Sequence, residues 1–337
     1  MRIAIDGMGG DHAPDEVVAG VIEAARHHPD ATLLLVGQKD RLSRPDMPKN
    51  VEIVHASEVV GMDEEPAKAL RGKPDSSLRV ALRLVKRGEA DAAISAGNTG
   101  ALVGGAIVPI FGLGNLEGVK RPAITIPMPT KSGTCALLDA GANPNSKPIH
   151  LIQYAVMGAV YIRYLRPELR FPRVGLLNIG EESKKGTDLI RETYALLEKA
   201  ELNFEFVGNV EPHRMLEGKA DVVVCDGFVG NLMLKMAEGI SGYIFNQFTN
   251  GLADNPTILK ARECWDHAEY GGALVMGVRG IVIKCHGRAR SRAITNAVKL
   301  ASKCIVDKLN DHIVAELRKL SWSAWFAKWF SWSKEGE

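Results

Sequence analysis

Five short segments of this chain end an apolar run in a polar residue and follow it closely with glycine. They are Asp6-Gly7-Met8-Gly9-Gly10-Asp11, Ser95-Ala96-Gly97-Asn98-Thr99-Gly100, Asp139-Ala140-Gly141-Ala142-Asn143, Asn178-Ile179-Gly180-Glu181-Glu182 and Asp226-Gly227-Phe228-Val229-Gly230-Asn231. Glycine turns at helix N-termini let backbone N–H groups converge on an anion, and the helix dipole adds to the attraction. The segment from Ser95 to Gly100 adds two hydroxyls and an amide. An equal reading is that Asn98 or Thr99 simply caps the helix that follows. The spacing at Gly7-Met8-Gly9-Gly10 is Gly-x-Gly-Gly, the second apolar run ends in Val36-Gly37 where a ribose-binding acid would stand, and there is no Walker lysine. NAD and ATP are therefore disfavoured, and a smaller anion fits at least as well.

Positive charge near these turns comes from Lys73, Lys185, Lys235 and His286. Lys184 and Lys185 also read as the solvated start of a helix. Lys235 lies four residues after Asn231, one helical turn along, so both can face one cleft. Ser76 and Ser77 read more simply as helix caps than as ligands, and a lone histidine is as often structural. Cys225 continues an apolar run and reads as a small core residue rather than a nucleophile.

The elements that must position these residues alternate. Apolar, β-branched runs at Arg2–Asp6, Thr32–Gly37, Val51–His55 and at 91–95, 123–128, 135–139, 174–179, 205–208, 221–226 and 280–285 read as strands. Helical stretches at 15–28, 77–88, 148–165 and 187–200 separate many of them, with further helical pattern at 239–268 and one long helical segment at 289–320. Continuously apolar strands such as residues 220–225 are expected where both faces of a sheet are covered. The pattern predicts a three-layer α/β/α fold, Rossmann-like, with a mainly parallel sheet. Ligands on such sheets sit beyond the carboxyl ends of the strands. Five glycine turns at one edge would then form one shared cleft.

Composition bounds the function classes. With 337 residues, 42 Lys and Arg against 40 Asp and Glu, and a formal net charge of +2, the chain can bury a large core and has no bulk affinity for nucleic acid. Five scattered cysteines without a C-x-x-C pair point away from a disulfide framework or zinc site and towards a reducing cytoplasm. The N-terminus reads as a strand and glycine turn, not as a signal peptide. Residues 92–116 carry no charge and exceed the ~20 residues of a membrane span, yet contain six glycines and Pro109. A strand, a turn and a buried helix fit them better. Four of the five tryptophans, Trp322, Trp325, Trp329 and Trp332, lie from position 322 onward.

Six collinear segments across residues 1–300 resemble the bacterial acyl-acyl-carrier-protein:phosphate acyltransferase family of phospholipid synthesis. They are residues 3–14, 94–101, 138–143, 176–182 with Lys185-Gly186, 225–231, and 270–274 with His286-Gly287. The resemblance implies that inorganic phosphate attacks the thioester of a long-chain acyl carrier protein, giving acyl phosphate and free thiol, with no cofactor and no metal. Phosphate is already a nucleophile, so positioning and stabilisation of the oxyanion are the main tasks. On this reading Lys185, Asp226, Asn231 and His286 are the catalytic set, with His286 protonating the departing thiol. Gly9, Gly10, Ser95, Gly97, Asn98, Thr99, Asp139, Asn143, Gly230 and Lys235 line the phosphate and substrate site. The family usually has Asn after Lys-Gly, whereas this chain has Thr187, and the tryptophan-rich end lies outside the family pattern.

The resemblance also implies a cytoplasmic homodimer that meets acyl-acyl-carrier protein and, transiently, a membrane surface and a membrane glycerol-phosphate acyltransferase. A catalytic domain is expected over 1–320, as one body or as two lobes about a cleft, and a separate tail over 321–337. The aromatic-rich stretch 239–252 reads as a protruding apolar helix or as a buried or dimer-interface helix. Lys260, Arg262, Arg279, Lys284, Arg288, Arg290 and Arg292 form a candidate docking patch for an acidic carrier. On a helix the four tail tryptophans fall within about 80° of arc, suited to a membrane interface or to docking on the protein itself. Three other readings stand beside the first: a phosphotransacetylase-like enzyme using coenzyme A thioesters, a non-catalytic membrane-surface scaffold, and a dehydrogenase of the isopropylmalate type.

Overall fold

The computed structural model describes residues 1–248 and 255–320. The tryptophan-rich tail and the end of the 239–252 stretch lie outside them. Apolar runs in the first part of the chain form β1 (Arg2–Asp6), β2 (Thr32–Gly37), β3 (Val51–His55) and β4 (Ala92–Ser95). Between and after them stand α1 (Asp15–His27), α2 (Lys39–Leu42), α3 (Pro66–Gly72), α4 (Ser77–Lys86) and α5 (Thr99–Ile107). The uncharged stretch 92–116 is thus a strand, a turn and a short helix. Among the described residues no helix is long and apolar enough to cross a membrane.

A hairpin of β5 (Ala123–Thr130) and β6 (Gly133–Leu138) follows, then α6 (Pro148–Leu165), β7 (Arg173–Leu177), α7 (Asp188–Leu197), β8 (Glu205–Val210), α8 (Pro212–Leu216) and β9 (Val222–Val224). The last third holds α9 (Gly227–Phe248), α10 (Pro256–Trp265), α11 (His267–Tyr270), β10 (Ala273–Met276), β11 (Ile281–Lys284), α12 (Ser291–Val306) and α13 (Leu309–Lys319). The helical pattern expected from residue 239 begins at Gly227, inside a segment that reads as a turn. The single helix expected over 289–320 breaks at Lys308, which adopts φ 51°. The break resets the phase so that Leu309, Ile313 and Leu317 bury one face of α13, which packs on α6.

The strands form one sheet in the order β3-β2-β1-β4-β11-β10-β5-β6-β9-β7-β8. Alternate residues point to opposite faces. Ile3, Ile5, Leu33 and Ile94 join α1, α6 and α12 in one core, while Ala4, Leu34, Ala93 and Val282 join α4 and α5 in the other. The three-layer α/β/α architecture follows from this two-sided burial.

The sheet is mainly parallel, as the sequence predicts, but three of its ten pairings are antiparallel. β3, β2, β1, β4 and β11 are mutually parallel. β10 runs against both β11 and β5, and β5 runs against β6. After these three reversals β6, β9, β7 and β8 are parallel to one another but opposed to β1 and β4. The five glycine turns therefore do not share one edge of the sheet. The central pairing nevertheless brings the turns after Asp139 and Ser95 towards the same place, because Leu138 stands opposite Thr125, Thr125 opposite Leu274, Leu274 opposite Ile283, and Ile283 opposite Ile94.

Candidate active site

A cleft of about 540 Å³ opens over the middle of the sheet. Its floor is β5, where Ile124, Ile126 and Met128 follow one another at the two-residue period of a strand face. One side is α9, which turns Asn231, Leu234, Lys235 and Glu238 inward at helical spacing, with Trp265 of α10 beyond it. The other side consists of the strand ends and loops of the first half-sheet: Asp11, Thr99, Lys284 and residues 286–288. One cavity thus combines an apolar floor with the cations Lys235, Lys284 and Arg288 and the imidazole of His286.

The glycine loops build this wall by packing closely. Asp6 is buried, accepts Ser95 Oγ at 2.7 Å and the Met8 N–H at 3.2 Å, and burial raises its pKa. Ser95 Oγ in turn accepts the Gly97 N–H at 3.0 Å. Gly10 has φ +109°, and a Cβ there would lie 3.0 Å from Ala96 Cβ and 3.1 Å from Gly287 O. Gly9 likewise sits against the Gly97 backbone. Asn98 caps α5 by accepting the Ala101 N–H at 3.0 Å, while its amide nitrogen donates to Met62 O and Glu64 O at 2.9 and 3.0 Å. These residues hold three loops together, and Thr99, at the start of α5, is the member of the group that lines the cleft.

Asp139 organises the opposite side. It is fully buried and accepts the backbone N–H groups of Ile124, Gly141, Ala142 and Asn143 at 2.7–3.1 Å. Asn143 Nδ2 donates to Asp139 Oδ2 at 3.0 Å, to Pro122 O at 2.6 Å and to Tyr154 Oη at 3.0 Å. Onto this loop packs the first turn of α9. A Cβ at Gly230 would lie 1.9 Å from Asp139 O, so no larger residue fits without moving the helix. The first N–H groups of α9 are already satisfied: Gly227 donates to Asn143 O, Phe228 and Val229 to Asp226 Oδ1 at 2.9 and 3.0 Å, and Gly230 to Asp226 O. Asp226 is thus the N-cap of α9. The helix start is an internal joint that aims Asn231 and Lys235 at the cleft.

Of the residues expected at the site, Thr99, Asn231, Lys235 and His286 line the cleft together. Lys235 is half-exposed and pairs with Glu238 at 2.8 Å. His286 Nδ1 accepts the Arg288 N–H at 3.1 Å on the rim. Lys185 is exposed on the loop after β7, where its carbonyl accepts Asn178 Nδ2 at 3.0 Å, and it does not line the cleft. The reason is distance along the sheet: β7 stands three strands from β5, roughly 14 Å at ~4.8 Å per strand.

Lys284 was expected on an exposed docking patch. It is instead only 7% exposed, at the end of β11 and in the cleft wall. Its Nζ donates to Cys285 O and lies 3.5 Å from Ala96 O. Burial pulls its pKa down to about 8; Lys235 pushes the same way, and Asp6 and Asp11 oppose. Its signal in the sequence is an apolar run, Ile281-Val282-Ile283, that ends in a charge beside His286-Gly287. Among the described residues no group of three His, Cys, Asp or Glu side chains is placed to hold a metal ion.

The fold is similar to that of two solved phosphotransacylases. A branched-chain phosphotransacylase from Enterococcus faecalis V583 superposes with TM-score 0.59 at 15% identity, covering 90% of this chain and 99% of that one. A phosphotransacetylase from Streptococcus pyogenes gives 0.58 at 16%, covering 91% and 94%. At these identities the likeness defines the fold. Residues 1–311 match the family model described as "Fatty acid synthesis protein". A phosphate acyltransferase of Desulfitobacterium hafniense (strain Y51) is 46% identical over 95% of this chain and 98% of its own length. One from Halothermothrix orenii is 42% identical over 95% and 99%. The chain belongs to this phosphate acyltransferase family, and it is an acyltransferase.

Proposed function

We propose that this chain transfers a long-chain fatty acyl group from acyl-acyl-carrier protein to inorganic phosphate, giving acyl phosphate for phospholipid synthesis. The observation that carries the reading is the juxtaposition in one cleft of an apolar β5 floor and a cationic wall, in a chain of this family. The floor of Ile124, Ile126 and Met128 accommodates the acyl chain next to the thioester. Lys235, with Asn231 and Thr99 beside it, attracts and orients phosphate.

In the reaction a phosphate oxygen forms a bond to the thioester carbon, the carbonyl oxygen gains charge, and the C–S bond then breaks. Holding both reactants beside fixed cations is worth several kcal/mol in such a step. Asp139, Asp226, Ser95 and Asn98 act at one remove, by fixing the loops and the helix that carry these groups. The test is to supply the purified chain with phosphate and, separately, palmitoyl-carrier protein, palmitoyl-coenzyme A and acetyl-coenzyme A. Phosphate-dependent release of carrier thiol is expected; preference for acetyl-coenzyme A would overturn the reading.

We further propose that the chain works in the cytoplasm as a homodimer and touches the membrane peripherally, where a glycerol-phosphate acyltransferase would receive the product. Support comes from α9, whose outer side leaves Leu232, Met236, Ile240, Tyr243 and Ile244 between 46% and 62% exposed. A contiguous apolar stripe of this kind marks a contact surface. Removal of residues 321–337 is expected to weaken binding to anionic vesicles; unchanged binding would exclude the tail as a membrane anchor.

A further inference from the structure

The reaction just proposed gains from a proton on the departing sulfur, because an alkyl thiolate leaves less readily than the phosphate that attacks, and protonation turns the adduct towards product. His286 is exposed on the rim, with Nδ1 already accepting the Arg288 N–H. Lys284 is differently placed. Its backbone is held in the middle of the sheet, with Lys284 opposite Ser95 on β4 and Ala273 on β10, so its side chain leaves from a rigid point. The ammonium ends against two carbonyl oxygens, Cys285 O and Ala96 O, and among the described residues no carboxylate pairs with it. A buried cation that lines the cleft, with carbonyl acceptors and no ion-pair partner among the described residues, is placed to act on what the cleft binds.

We infer that Lys284 is the proton-transfer residue of this site, giving its proton to the carrier sulfur as the C–S bond breaks. The inference rests on the acyl-transfer reading above. The balance closes within the site. Monohydrogen phosphate forms the C–O bond, the electron pair of the C–S bond passes to sulfur, and the ammonium of Lys284 protonates that sulfur. The phosphoryl group of the new acyl phosphate is more acidic than free phosphate and returns a proton to the Lys284 amine. Over one turnover a proton moves from phosphate to thiol and Lys284 is unchanged.

The surroundings suit a lysine that exchanges protons near neutral pH. Burial and Lys235 from α9 lower its pKa to about 8, while Asp6 at the end of β1, Asp11 in the loop beyond and the neighbouring Cys285 keep it from falling further. Such a value lies near that of an alkyl thiol, where general acid catalysis is efficient.

The test uses the full chain with Lys284→Arg, which keeps the charge but cannot release a proton at neutral pH. With palmitoyl-carrier protein we expect kcat to fall roughly 10²–10⁴-fold with little change in the KM for phosphate. With a palmitoyl thioester of p-nitrothiophenol, whose thiolate leaves unprotonated, most of that loss should disappear. The wild-type kcat–pH profile should also lose its alkaline limb in the variant. A Lys284→Arg enzyme with kcat within about threefold of wild type, or one equally impaired on the aryl thioester, overturns the inference. If the larger side chain disrupts the fold, judged by thermal unfolding, Lys284→Met carries the same aryl-thioester comparison. Wild-type protein that makes no acyl phosphate from carrier thioester overturns the parent reading instead, so the two failures are distinguishable.

Discussion

A lysine ammonium buried among carbonyl groups is costly to the folded state. The drop in the pKa of Lys284 from 10.5 to about 8 corresponds to a cost on the order of 3 kcal/mol for its charged form. Below about pH 8 the group is charged in both folded and unfolded chains and the penalty is fully present; between about 8 and 10.5 the folded protein sheds the proton first and the penalty is relieved. Lys284→Met is therefore expected to unfold at a higher temperature than wild type at pH 7, and the advantage should shrink as pH rises through that window. Thermal scans at pH 7, 8.5 and 10 check it. Burial also disfavours the charge of Asp139 and raises its pKa, but its hydrogen bonds oppose that and hold a loop. Asp139 alone satisfies four backbone N–H groups, and Asp139→Ala leaves them unpaired, for a loss of at least ~3 kcal/mol in urea denaturation.

At the scale of elements, α9 links the loop at Asp139 to the cleft. Its cap, Asp226, holds the Phe228 and Val229 N–H groups, so Asp226→Ala should cost about 1 kcal/mol of stability. Gly230→Ala should cost about 1–3 kcal/mol or more, because a Cβ would lie 1.9 Å from Asp139 O and the backbone must shift. Since that shift moves Asn231 and Lys235 together, the phosphate KM should rise in Gly230→Ala, whereas Asp226→Ala should change stability more than KM. Parallel urea titrations and phosphate-dependence curves separate the two. Lys235→Ala removes a cation from the cleft without touching this joint, and is expected to raise the phosphate KM about tenfold with unchanged stability.

For the molecule as a whole, the outer stripe of α9 predicts association. Light scattering on a sizing column is expected to give twice the chain mass, and Met236→Glu to shift it towards the monomer, because burying a charge in an apolar contact is costly. A wild-type mass of one chain, or an unchanged elution position for the variant, would overturn this prediction. The single sheet also sets where the cleft can be. Three antiparallel steps at β10, β5 and β6 reverse the strand direction midway, so loops from two oppositely running halves meet over β5.

Much of this was legible in the chain itself. Apolar runs alternating with amphipathic stretches specify strands and helices by local chemistry, and the runs at Arg2–Asp6, Thr32–Gly37 and Val51–His55 have the boundaries of β1 to β3. The polar-then-glycine strand ends marked Thr99, Asn231, Lys235 and His286, all of which line the cleft. Residues 273–276, only four long between glycines, carry too weak a pattern to announce β10, and β10 is one of the strands that reverse the sheet. The separation of Lys185 from the cleft follows from strand order, and the burial of Lys284 from three strands and a loop closing around it. Residue type and spacing act locally and determined the elements and their candidate chemistry. Which loops meet, and which lysine loses its water, depends on pairings between distant segments, and the tertiary structure alone decided those.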